Sequence, residues 1–194
     1  MKRLQMFIVI IAGLFLTAAD GPPHQEKLHA NMIGFREVPA NSTVARGEFK
    51  AEIINDGTAI TYELTYSGLE ATVTQGHIHF GQRFVAAGIS LWLCQTDTNK
   101  DPTNLAPSCP QEGSVSGMLT KANLVGPAGQ GIAGGPTGGT DEEFAEIIKA
   151  IRAELTYANV HSTKFPSGEI RGQIRVVDRD NKHDDKHHND RHRG

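Results

Sequence analysis

The sequence predicts an all-β fold: an immunoglobulin-like antiparallel β-sandwich or barrel with one short amphipathic helix and a disordered C-terminal tail. Three observations carry this. Residues 44–66 hold two runs of apolar/polar alternation separated by Asp56-Gly57, a pair that tolerates the positive φ of a tight turn. Further alternating or apolar runs recur between turn-rich segments along the chain. Only Thr140 to Arg152 carries the i, i+3, i+4, i+7 apolar spacing of a helix.

At the start of the chain, Lys2 and Arg3 precede an apolar run from Met6 to Leu16. That run is too short to cross a bilayer comfortably, and Thr17-Ala18-Ala19 offers small residues for cleavage. Residues 1–19 are therefore expected to be a cleaved signal peptide, residues 20–26 a polar leader, and residues 27–177 the domain. The expected location is secreted, periplasmic or at the cell envelope, with no transmembrane segment left after cleavage.

Lys27 to Ile33 reads as the first strand. Asn41-Ser42-Thr43 is formally a glycosylation triplet. Phe49, Ala51 and Ile53 then alternate with Glu48, Lys50 and Glu52, and Ile60, Tyr62, Leu64 and Tyr66 alternate with Thr61, Glu63 and Thr65. Two such runs around an Asp-Gly turn predict a β-hairpin. Ala71 to Phe80 is the next strand, Ala87 to Cys94 a more continuously apolar one with the sole tryptophan, and Ser114 to Thr120 a shorter one. The only two cysteines, Cys94 and Cys109, suit an oxidising compartment and are expected to pair.

Residues 126–139 are rich in glycine and spell Gly129-x-Gly131-x-x-Gly134, a dinucleotide-binding pattern. That motif needs a strand turning into a helix within a βαβ unit, which this context does not provide. A flexible surface loop is the reading. Thr140 and Glu143 then form a capping box, Phe144, Ile147, Ile148 and Ile151 make one apolar stripe, and the helix is expected to cover one end of the sandwich. Glu154–Ser162 and Glu169–Val177 predict a last hairpin, with Glu169, Arg171, Gln173 and Arg175 on its non-core face. Residues 178–194 contain nothing apolar and are expected to be disordered.

Side chains at i and i+2 of a strand leave the same face. His77 and His79 should therefore point together, and His161 adds a third imidazole. Neutral imidazoles suit zinc or copper, and three of them leave one coordination position open. Glu169 and Arg171 share the last hairpin with His161. The same five residues can instead form a polar cluster at one end of the sandwich, in which they satisfy one another and fix the hairpin's register. In the tail, His183, His187, His188 and His192 lie among aspartates, a set suited to weak metal binding. A formal net charge of −3 gives no electrostatic case for nucleic acid.

Four motifs occur in order: Glu37-Val38-Pro39; Tyr62-Glu63-Leu64 with Ser67-Gly68-Leu69; Gly76-His77-Ile78-His79-Phe80-Gly81; and Tyr157-x-Asn159-Val160-His161-Ser162 followed by Pro166-x-Gly168-Glu169-Ile170-Arg171-Gly172-Gln173-Ile174. Jointly they resemble the CHRD domain, a chordin-type domain found in exported microbial proteins. The resemblance implies an all-β immunoglobulin-like sandwich or barrel and brings no catalytic residues. The expected function is a non-catalytic extracellular or envelope binding or structural module, its partner an unidentified extracellular protein or surface ligand. The alternative is a metalloprotein with copper or zinc at His77, His79 and His161. A His-x-His pair on a β-sandwich is similar to the copper site of Cu,Zn superoxide dismutases, but their histidine-rich zinc loop is lacking here.

Overall fold

The computed structural model describes residues 25–177. The expected signal peptide, most of the leader, and the tail with His183, His187, His188 and His192 lie outside the described residues. Nine strands follow: β1 (Glu26–Ile33), β2 (Arg46–Ile54), β3 (Ala59–Ser67), β4 (Val73–Phe80), β5 (Ile89–Cys94), β6 (Gly113–Leu119), β7 (Thr156–Ser162), β8 (Ile170–Gln173) and β9 (Arg175–Val176). One helix, α1 (Asp141–Arg152), stands between β6 and β7. The strands form one antiparallel sheet in the order β5-β4-β7-β8-β1-β2-β3-β6, with β9 also paired to β1.

The two outermost strands of that order close on each other, so the sheet curls into a nearly shut barrel. Segments flanking β6 bridge to β5, Leu124 to Leu91 and Ser108 to Gln95. Cys94 and Cys109 are disulfide-bonded across this seam with their Cα atoms 4.9 Å apart. Between them, the Tyr62 hydroxyl donates to the Leu93 carbonyl at 2.6 Å. Tyr62 is opposite Gly117 in the β3–β6 register, and a Cβ at 117 would stand 2.9 Å from the Tyr62 ring and hydroxyl. Only a residue without a side chain lets the phenol pass over β6 to reach β5.

The β2–β3 hairpin forms as its alternation requires, with Phe49 opposite Leu64 and Ala51 opposite Tyr62. Asn55, Asp56 and Gly57 in its turn all take positive φ, the conformation these residue types tolerate best. The capping box is present: the Thr140 side chain accepts from Glu143 N–H, and the Glu143 carboxylate accepts from Thr140 N–H. Phe144, Ile147, Ile148 and Ile151 join the barrel core. Arg152 pairs with Glu26 at the start of β1, so α1 covers the barrel end formed by that strand and the β2–β3 turn.

Two expectations change. The last strand is broken at Ile174, whose N–H returns to Thr156 on β7 while β9 pairs with Leu28 and His29 on β1. The chain changes partner there because β8 runs between β7 and β1 and meets β1 at only Ile33↔Arg171. The glycine-rich loop is packed rather than flexible. Gln130 donates to Phe80 O and accepts from Gly88 N–H, Ala133 N–H donates to Glu143, and Ile132 is buried. Among the described residues no helix is long and apolar enough to cross a membrane.

Candidate metal centre

Alternation along three adjacent strands decides where the histidines lie. Ile78, Ala158, Val160 and Ile170 belong to the barrel core. Their sequence neighbours His77, His79, Tyr157, Asn159, His161 and Arg171 therefore leave the sheet on its outer face. Register brings them together: His79 is opposite Tyr157, His77 opposite Asn159, and Asn159 in turn opposite Arg171. The cluster is thus on the outer wall of the barrel, not at one end of a sandwich. It is nevertheless buried, with His77 0 %, His79 6 % and His161 5 % exposed. Residues 81–88 and the 163–168 turn roof it.

The hydrogen bonds fix the protons. A carbonyl oxygen only accepts, so His79 Nδ1–H donates to Ala87 O at 2.8 Å and His161 Nδ1–H donates to Pro166 O at 2.9 Å. Burial holds all three imidazoles below their ordinary range, His77 well below and His79 down to about 4; the neighbouring imidazoles add to this for His77. The rings are therefore neutral near pH 7, and Nε2 of His79 and of His161 is a bare lone pair. His77 Nδ1 lies 3.2 Å from His161 Nε2, so its N–H donates there. That leaves His77 Nε2 buried without a partner among the described residues. His79 Nε2 meanwhile faces Asn159 Oδ1 at 3.1 Å, one acceptor against another.

These features fit a cation. One nitrogen from each of the three rings can be chosen so that all lie within 4.8 Å of one another. The 3.2 Å between His77 Nδ1 and His161 Nε2 is close to the roughly 3.3 Å that separates two nitrogens bound to one tetrahedral zinc. Carbonyls holding the far ring nitrogens of His79 and His161 are the outer-shell supports that orient metal-binding imidazoles. Trp92 meets His77 edge-on at 4.3 Å, and Tyr157 stacks flat on His79 at 4.6 Å, so aromatic walls exclude water.

Of the other residues named from the sequence, Arg171 supports the cluster from one step away. Its guanidinium lies 3.3 Å over the Tyr157 ring and donates to Val85 O and Gln82 O at 3.0 Å each, which pins the roof. Glu169 is not brought to the imidazoles. Its carboxylate accepts from Thr43 Oγ1 at 2.8 Å, from Glu70 N–H at 2.9 Å and from Ser162 Oγ. Asn41 donates to Gly168 O at 2.6 Å, so the Asn41-Ser42-Thr43 triplet clasps the β7–β8 turn. Glu37 was not foreseen: it sits within 3.5 Å of Asn159 Nδ2, and burial pushes its carboxyl up to about 7 against the pull of Arg171. Tyr157 and Asn159 were within reach of the sequence, since they share His161's face at two-residue steps. Glu37 stood out only as part of the Glu37-Val38-Pro39 motif and Trp92 only as the sole tryptophan, with no spacing that tied either to the histidines.

A model of the CHRD domain family matches residues 28–174. No curated protein and no solved structure matches the chain.

Proposed function

The chain belongs to the CHRD domain family, and from that premise we propose that it is a non-catalytic extracellular or envelope module holding zinc or copper at His77, His79 and His161. The observation that carries this is the buried trio of imidazoles with one nitrogen from each within 4.8 Å of the others, His79 Nε2 facing an amide oxygen instead of a donor. A buried acceptor left without a donor ordinarily costs about 1–3 kcal/mol, and a cation at His79 Nε2 would remove that cost. Bound there, zinc would supply Lewis acidity and copper one-electron exchange. This chain's own contribution is orientation and exclusion: Ala87 O and Pro166 O set two ring tautomers, while Trp92, Tyr157 and the 81–88 roof keep bulk water away. The roof also keeps substrates out, which favours a structural or storage role over turnover. Export is supported by the apolar N-terminal run and by the disulfide.

The test is elemental analysis of tag-free protein in which His183, His187, His188 and His192 are alanine, beside the same protein with His77→Ala and His79→Ala. Near-stoichiometric zinc or copper in the first, absent from the second, is the expected result. A first protein that melts cooperatively yet takes up neither metal on reconstitution would overturn the proposal. The imidazoles would then serve only to lock β4 against β7.

A further inference from the structure

Between the roof and strands β1, β8 and β9 lies a cavity of about 370 Å³, whose lining includes Arg36, Arg83, Phe84, Arg171, Gln173 and Arg175 and no carboxylate. We propose that it binds a small organic oxyanion with a ring-shaped body, of the kind represented by a uronic acid or a sugar phosphate. The inference does not rest on the metal reading. Four guanidiniums around one cavity repel each other, and the protein supplies little to offset them. Among the described residues no carboxylate forms an ion pair with Arg36, Arg83 or Arg175. Glu37 is the carboxyl whose field reaches Arg171, and burial keeps it partly protonated at neutral pH.

The site has a fixed element and adjustable ones. Arg171 is 2 % exposed and is held by the Tyr157 ring and by Gln82 O and Val85 O. Those two bonds use two of its five N–H donors. Arg36, Arg83 and Arg175 are exposed around it; Arg36 is tied by one N–H to the Asn31 carbonyl, while Arg83 and Arg175 can close a fork on a carboxylate or phosphate, which Arg matches in bidentate fashion. Phe84 is 77 % exposed with φ at +68°, in the left-handed region that a bulky aromatic rarely adopts. A roof residue held there presents a ring face at the rim, suited to stacking on the body of a ligand. The volume falls in the range of small-molecule sites.

Isothermal titration of the full chain with glucuronate, glucose 6-phosphate, inorganic phosphate and glucose tests this. Saturable binding of glucuronate or glucose 6-phosphate with Kd below about 1 mM is expected, weakening as salt is raised. The glucuronate and phosphate arms show which oxyanion is preferred. Arg83→Gln with Arg175→Gln, both exposed and distant from the core, should weaken binding by roughly tenfold or more. Phe84→Ala should weaken glucose 6-phosphate but leave inorganic phosphate unchanged. The proposal is overturned if neither sugar anion saturates, if glucose or inorganic phosphate binds as tightly as glucose 6-phosphate, or if the double arginine variant binds as the parent does.

Discussion

His77, His79 and His161 are kept neutral, and Glu37 partly protonated near pH 7, by one cause, burial, and the two effects oppose each other as pH changes. For the histidines the folded pKa lies below the unfolded 6.5. Their contribution is complete above that value and is lost on acidification, for His79 down to about 4. For Glu37 the folded value of about 7 lies above the unfolded 4.5, so its contribution is complete at low pH and is lost as pH rises through that window. Three rings outweigh one carboxyl. Metal-free protein should therefore lose stability between pH 6.5 and 4.5 in urea titrations. Glu37→Gln should steepen that loss, with an effect of at most roughly 3 kcal/mol. Identical pH profiles for parent and variant would contradict the assignment. The imidazole trio was legible because i, i+2 spacing on a strand is local information. The placement of Glu169 was not. Gly168 takes φ +124° in the turn before it, and the carboxylate swings toward Ser162, which alternates with His161 on β7.

Elements were read well wherever a local pattern ends in a chemically specific stop. The β2–β3 hairpin stops at Asn-Asp-Gly and α1 starts at a capping box, and both form as the residues dictate. Thr140→Ala should cost about 1 kcal/mol, read as a lower melting temperature with the native far-ultraviolet spectrum retained. The break at Ile174 was illegible because it depends on which strand lies alongside. Gly172 shows how tight that neighbourhood is: a Cβ there would stand 2.3 Å from the Asn31 carbonyl oxygen of β1. Since backbone must move to admit it, Gly172→Ala should destabilise by about 1–3 kcal/mol, more than Thr140→Ala in the same urea assay. Tyr62→Phe, which removes the hydroxyl that crosses Gly117, should cost about 1 kcal/mol.

At the scale of the molecule, the all-β class was legible because alternation needs no knowledge of partners, whereas closure of the sheet does. Strand order alone puts β5 and β6 at the two ends and lets them meet. The same curvature turns the histidine face outward beneath a roof of loops, which no periodicity could announce. Replacing Cys94 and Cys109 by serine should lower stability by about 3 kcal/mol, from the size of the loop they close. The seam has a further consequence. A strand at the rim of a sheet is a template for another chain, and here the segments flanking β6 bridge Leu91 and Gln95 along the β5 rim. Reduction should loosen that cover and bare the β5 edge to pairing with another chain. Light scattering that grows with concentration in reduced protein, and stays flat in oxidised protein, would show the cystine acting as a guard against polymerisation.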